Sequence, residues 1–157
     1  MRRLIKKSNA SFFHGTSFEN LKSIMREGKI IPQGTSGFGI GKYTGDDADD
    51  KFNNFVFLGV NRSDALSYAI QMNTKVPVVL EVFVNENDLY PDDIDLPGAK
   101  SWEESANAIG QVKILNSIDI SQINKVYFYN KSAQEIFNCD INDDWEEIIY
   151  DYWDKFN

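Results

Sequence analysis

The chain of 157 residues contains one histidine, and this residue carries much of the chemistry that the sequence offers. His14 lies in the segment SFFHGTSFENLKSIMREG, between a short aromatic run and an amphipathic helical pattern. An imidazole both donates and accepts hydrogen bonds and changes charge near neutral pH, which suits it to ligand binding. A lone histidine on an apolar strand is more often a core residue. The glycine and the helix start that follow His14 favour a ligand site.

Other reactive groups are few. The single cysteine, Cys139, cannot form an internal disulfide, and one histidine with one cysteine does not supply a zinc-type cluster. We therefore expect no metal site and interpret Cys139 as a small buried hydrophobic residue. The formal net charge of −8 argues against a broad nucleic-acid surface, although the basic segment 1–10 could hold a nucleic acid locally.

The elements around His14 have clear signals. Residues 11–15 predict a short strand, and Thr16 with Glu19 has the spacing of a capping box at the start of a helix. Gly28 is predicted to end this helix as its C-cap. The inward face is the apolar stripe of Phe18, Leu21, Ile24 and Met25.

The rest of the chain predicts one mixed α+β domain over residues 1–157, in which short strands outnumber helices. NRSDALSYAIQMN predicts a helix with Ala65, Leu66, Ala69 and Ile70 inward, and VPVVLEVFVN predicts a central strand. Further strands are predicted at KIIP, NFVFLGV, Gln111–Leu115 and Lys125–Tyr129, and further helices at 132–138 and in the acidic segment 142–157. Loops are predicted at the glycine-rich stretch 34–53, at DLYPDDIDLPGAKS and at SWEES.

Four segments, in this order, resemble the ADP-ribosyltransferase superfamily. FFHGTSFENLKSIMREG is similar to its HGT strand-to-helix junction, and FVFLGVNRSDALSYA resembles its next strand and the helix that ends in Tyr-Ala. VPVVLEVFV and GQVKILNSIDISQI look like its later strand and strand-turn element. The resemblance covers most of residues 11–130. It implies a split mixed or antiparallel β-sheet with flanking helices, as in poly- and mono-ADP-ribosyltransferases and DNA- or RNA-targeting toxins.

The resemblance also implies roles for individual residues. His14 would hydrogen-bond a ribose hydroxyl of NAD, and Gly15 would let its backbone approach the nicotinamide amide. Thr16 would be their neighbour in the site. Tyr68 would stack on the nicotinamide ring, and Phe57 would close the other face of that ring.

The catalytic carboxylate is less clearly assigned. Cleavage of the nicotinamide–ribose bond passes through an oxocarbenium-like state, which nearby negative charge stabilises. In the family a glutamate commonly lies at or just before the strand that reads GQVKIL in this chain. In some nucleic-acid-modifying members it takes the place of Gln111, and glutamine supplies no charge. We expect Glu104 to act first and Glu103 second, from a loop, with Gln111 as an orienting group, and His14 completes the expected catalytic set.

The implied function is that of an NAD-dependent mono-ADP-ribosyltransferase that modifies a protein or a single-stranded nucleic acid. It would act as a toxin, defence or phage effector and could have an antitoxin or immunity partner. Two alternatives stay open: a non-catalytic NAD- or ADP-ribose-binding module, and an RNA 2′-phosphotransferase, which normally uses a second histidine. Without a secretory signal pattern or an apolar run of about 20 residues, we expect a cytoplasmic protein with no membrane partner.

Overall fold

A computed structural model of the chain describes residues 9–32, 54–72, 74, 76–131, 134–140, 147 and 151. Three predicted segments lie outside this described part: the basic N-terminal segment apart from residues 9 and 10, the glycine-rich loop 34–53, and the C-terminal helix apart from residues 147 and 151. Residues 147 and 151 are helical. The strands are β1 (Asn9–Ser17), β2 (Lys29–Ile30), β3 (Phe55–Gly59), β4 (Pro77–Asn85), β5 (Leu89–Pro91), β6 (Gln111–Leu115), β7 (Ile118–Asp119), β8 (Ile123–Asn130) and β9 (Glu135–Asp140). The complete α-helices among the described residues are α1 (Phe18–Glu27), α2 (Arg62–Ile70) and α3 (Trp102–Ile109).

Seven of these strands form one antiparallel sheet in the order β5-β6-β3-β1-β4-β8-β9, and β2 pairs with β7 in a second, small sheet. The prediction of an α+β fold with an antiparallel sheet is therefore confirmed. The prediction of β4 as a central strand is also correct. It lies between β1 and β8, and its most deeply buried residues, Val78, Val79, Leu80, Val82 and Val84, are each at most 1% exposed.

Helix α1 begins one residue later than the sequence predicted. Strand β1 continues to Ser17, so Ser17 and not Thr16 is the N-cap, and its hydroxyl accepts a hydrogen bond from the Asn20 amide at 3.0 Å. Thr16 is instead a buried strand residue. Gly28 ends the helix as predicted, with a left-handed φ of 82° that favours glycine.

Helix α2 packs closely on the sheet through small residues. A Cβ at Gly15 or at Gly59 would meet the backbone of Ala65, and Ala65 and Ala69 are both buried. Two residues that were predicted to face inward are less buried than expected. Leu66 is only partly buried and Ile70 is 40% exposed. The alanines and glycines thus set how near α2 lies to β1 and β3, and the larger residues stand outside that contact.

Three segments form elements that the sequence did not predict. The expected loop DLYPDDIDLPGAKS contains β5, which pairs with β6, and the expected loop SWEES is the first turn of α3, capped by the Ser101 hydroxyl. The expected helix 132–138 is wrong. Residues 135–140 form β9, which pairs with β8 along its whole length, and the Phe128 and Phe137 rings stack at 5.7 Å. Pairing with β8 outweighs a locally helix-compatible sequence.

Candidate functional site

A cavity of about 300 Å³ opens where β1, α1, β2, β3 and α2 meet. Its lining includes all five residues that the sequence predicted to bind a nucleotide: His14, Gly15, Thr16, Phe57 and Tyr68. These residues come from two strands and one helix separated by up to 54 positions in the chain. The fold therefore brings together the nucleotide-binding residues expected from the sequence.

The cavity lies where the sheet separates. Strand β1 pairs with β4 along its full length, but among the described residues its register with β3 consists of the single pair Phe13–Gly59. If that register continued, the next pairs would be His14 with Leu58 and Gly15 with Phe57, and the structure forms neither. The two strands therefore diverge beside Gly15.

The backbone of Gly15 faces this gap. The Phe18 amide donates to the Val76 carbonyl at 3.1 Å, and the register places Thr16 opposite Val78. Backbone groups of successive residues in an antiparallel strand alternate between its two neighbours, so Thr16 and Phe18 bond towards β4. Gly15 consequently directs its N–H and C=O towards β3, where the pairing has ended.

The imidazole of His14 occupies the end of the interrupted ladder. Its Nδ1 lies 3.0 Å from the carbonyl oxygen of Phe57, so the Nδ1–H donates to that oxygen in place of a backbone amide. In the neutral ring this donation assigns the proton to Nδ1 and leaves a lone pair on Nε2. Burial lowers the pKa of His14 below its usual 6.5, and the hydrogen bond to Phe57 acts in the opposite direction. The net effect favours the neutral imidazole.

Side chains reach the cavity from both faces of the sheet. Gly15 and Gly59 face α2, because a Cβ at either position would meet Ala65. By the two-residue period of a strand, Phe57 lies on the α2 face and His14 on the opposite face. Tyr68, on α2, completes the α2 side. A ligand in the cavity could therefore contact an aromatic ring on one side of the sheet and an imidazole on the other.

Helix α1 contributes a polar rim that the sequence analysis did not single out. Asn20, Ser23 and Glu27 line the cavity, and their spacing of i, i+3 and i+7 places them on one face of the helix. Arg26 also lines it, with one guanidinium nitrogen 3.1 Å from the Ser23 hydroxyl. The same helical period that identified the apolar face of α1 could have identified this second one.

Of the four residues expected to take part in catalysis, His14 lines the cavity and the other three do not. Glu103 and Glu104 are exposed in the first turn of α3, where a carboxylate oxygen of Glu104 accepts the Lys100 amide at 3.0 Å. Gln111 begins β6 opposite Gly59, and its carbonyl accepts the Ser105 hydroxyl at 2.7 Å. The expectation that Glu103 and Glu104 lie on a loop is wrong, because they are helical.

Among the described residues, no three His, Cys, Asp or Glu side chains come together as metal ligands. No helix in the described ranges is long and apolar enough to cross a membrane. Cys139 is half-buried on β9, and burial raises the pKa of its thiol.

No protein-family model and no curated protein matches the chain. Solved structures do match. One is an E. coli heat-labile enterotoxin carrying a substitution at a buried residue, with 15% identity over 89% of this chain and 80% of the other, at a TM-score of 0.53. Another is a heat-labile enterotoxin double mutant, with 19% identity over 76% of this chain and 56% of the other, at a TM-score of 0.50. At these identities the likeness shows the fold alone, an α+β fold with an antiparallel sheet that is similar to the fold of a heat-labile enterotoxin.

Proposed function

We propose that this protein is an NAD-dependent mono-ADP-ribosyltransferase that cleaves the nicotinamide–ribose bond and transfers ADP-ribose to a macromolecule. The observation that carries the proposal is the separation of β1 from β3 beside Gly15, with the His14 imidazole bonded to the Phe57 carbonyl at the cavity. The fold's likeness to an ADP-ribosyltransferase toxin supports it. The acceptor is a protein or a single-stranded nucleic acid.

The gap between the strands suits the nicotinamide end of NAD. A carboxamide carries one acceptor oxygen and two donor hydrogens, and the Gly15 backbone offers one donor and one acceptor towards the gap. The rings of Tyr68 and Phe57 supply flat apolar surface for the pyridinium, which a cation–aromatic attraction reinforces. The cavity volume is at the lower end of the usual range for ligand sites, roughly 300–1,000 Å³. The remainder of the dinucleotide would extend past the rim of α1.

His14 suits the adjoining ribose. With Nδ1–H engaged by Phe57, Nε2 is an acceptor, and a ribose hydroxyl is a donor of the right kind. The imidazole would orient the sugar through this hydrogen bond. This assignment requires no motion of the Phe57 backbone.

Negative charge for the oxocarbenium-like state has several candidate sources. Glu27 lines the cavity from α1, so we add it to the expected Glu104 and Glu103, with Gln111 as an orienting amide. Glu104 would have to leave its hydrogen bond with the Lys100 amide in order to act.

A second candidate function, a non-catalytic module that binds NAD or ADP-ribose, is favoured by one observation. Gln111 stands where some members of the family have glutamate, and Glu103 and Glu104 lie outside the cavity lining. Such a module would keep the strand gap and His14 but would not release nicotinamide.

Nicotinamide release from NAD by the purified protein tests the proposal. We would compare Glu27→Gln, Glu103→Gln and Glu104→Gln with the control Glu135→Gln, at an exposed position on the edge strand β9. Loss of release in one of the first three, with the control unaffected, identifies the acid. Binding without release by the unmodified protein would favour the module, and absence of both would contradict the proposal.

The acceptor is tested separately. The protein would be incubated with labelled NAD and pools of protein, RNA and DNA, and mass spectrometry would locate the ADP-ribose. Co-purification of a second chain that blocks labelling would support an antitoxin or immunity partner.

A further inference from the structure

A buried lysine stands beside the aromatic wall of the cavity. Lys113 is 3% exposed and lies on β6, directly opposite Phe57 on β3 and Tyr90 on β5. Lysine is almost never buried to this extent without a partner, because removing an ammonium group from water is costly. Its place next to the cavity residue Phe57 therefore needs a physical reason.

The contacts of the ammonium group with described residues include a carboxylate and two aromatic rings. Its Nζ lies 2.9 Å from Oδ1 of Asp93, 4.0 Å from the Phe55 ring centroid and 6.0 Å from the Phe57 ring centroid. Tyr90 packs edge-on against Phe55, with ring centroids 5.4 Å apart. Residues paired across strands share a face of the sheet, so these rings surround the ammonium on the α2 side.

Two of these rings, Phe55 and Phe57, line the cavity. We infer that Lys113 is a positioning residue that holds the Phe55 and Phe57 rings in the orientation that the cavity requires, with Asp93 as its counter-charge. A cation attracts the face of an aromatic ring, and the attraction strengthens away from water. The expected effect on NAD affinity rests on the proposed function, whereas the expected effect on the ring positions does not.

Stability alone does not account for the Lys113–Asp93 pair. Replacing both members of a buried ion pair with well-packed apolar residues often costs no stability, whereas removing one member leaves the other charge without its partner. With apolar residues at both positions, better packing would replace the flexible lysine stem. The contribution of the charge is therefore expected in the geometry of the two rings and in ligand affinity.

Two substitutions and one control test this inference. Lys113→Met keeps an unbranched apolar stem without the charge, whereas Lys113→Arg keeps a cation that can pair with Asp93 and stack on a ring. The control is Lys125→Met, since Lys125 is 40% exposed and pairs with Asp140 at 4.0 Å on β8 and β9. Each protein is measured for NAD affinity, for melting temperature, and for the NMR signals of 13C-labelled phenylalanine rings.

Lys113→Met should shift the Phe55 and Phe57 ring signals and weaken NAD binding by about tenfold, because the ligand would then have to order two rings that the cation no longer holds. Lys113→Arg should recover most of the affinity, and Lys125→Met should match the unmodified protein. Unchanged ring signals in Lys113→Met would overturn the inference, as would shifted ring signals with unchanged NAD affinity. If the unmodified protein does not bind NAD, shifts of the two rings still support the role of Lys113, and the proposed function alone fails.

Discussion

The Nδ1 atom of His14 lies 3.0 Å from the carbonyl oxygen of Phe57, and it replaces the backbone amide that a continuous sheet would place there. This contact fixes the ring at the mouth of the strand gap and directs its second nitrogen away from the carbonyl. The same residue thus ends one set of backbone pairs and presents an acceptor to a ligand. The two tasks can be separated by substitution.

His14→Asn and His14→Ala should differ in stability but not in ligand binding. Asparagine can still donate to the Phe57 carbonyl from the position of Nδ1, whereas alanine leaves that carbonyl without its donor, a loss of about 1–3 kcal/mol. Both lack the Nε2 acceptor, so both should weaken NAD binding by about tenfold or more. Urea unfolding and calorimetric titration measure the two effects. Equal stability of the two variants would contradict the role assigned to Nδ1.

Gly15→Ala should destabilise the protein. Its Cβ would meet the backbone of Ala65, which cannot rotate away, and overpacking of this kind costs about 1–3 kcal/mol. Displacement of α2 would also move Tyr68 and reduce nicotinamide release. A comparison is Gly98→Ala, where φ is +86° and no atom lies within 4 Å of the added Cβ, so only backbone strain acts. Its unfolding free energy should fall, with nicotinamide release unchanged.

Tyr68→Phe and Tyr68→Ala separate the ring from the hydroxyl. If the ring stacks on nicotinamide, Tyr68→Phe should bind NAD within about twofold of the unmodified protein, and Tyr68→Ala about tenfold more weakly. Fluorescence titration with NAD measures both. Equal losses in the two variants would mean that the hydroxyl, and not the ring, makes the contact.

The dependence of stability on pH should reveal the lowered pKa of His14. Below about pH 6.5 the unfolded chain binds a proton that the folded chain resists, so the folded state loses stability as the pH falls from 6.5 through the folded pKa. Above 6.5 this contribution is fully present. Burial raises the pKa of Asp92, which acts in the opposite direction, so His14→Asn serves as the reference.

The measurement is urea unfolding of both proteins at several pH values from 7.5 to 5.0. The stability of the unmodified protein relative to His14→Asn should decrease as the pH falls. A difference that stays constant or grows would show that His14 is readily protonated in the folded state.

The cavity residues that the sequence singled out belong to two segments, each with clear local signals. His14, Gly15 and Thr16 are consecutive, and Tyr68 follows its strand through one short turn, so a strand and a helix suffice to place each. The helix start was misplaced by one residue because Ser17 and Thr16 are both good caps. Only the length of β1, set by pairing with β4, distinguishes them.

The remaining errors concern long-range pairing. Nothing within residues 135–140 shows that β8 will pair with them, and the three residues of β5 are too few to carry a pattern. The positions of Glu27 and Lys113 could not be predicted for the same reason. Glu27 faces the cavity through the orientation of α1, and Lys113 joins Asp93 and Phe55 only because β5, β6 and β3 are neighbours.

Among the described residues, β1 and β3 form the single pair Phe13–Gly59, so backbone pairing is missing beyond it. A ligand that bridges Gly15 and the β3 side would replace the missing backbone pair. The more tightly such a ligand binds, the more it would stabilise the sheet. Molecules too short to touch both strands would contact only one of them and would stabilise the sheet less. The gap between the strands thus selects ligands by their length as well as by their chemical groups.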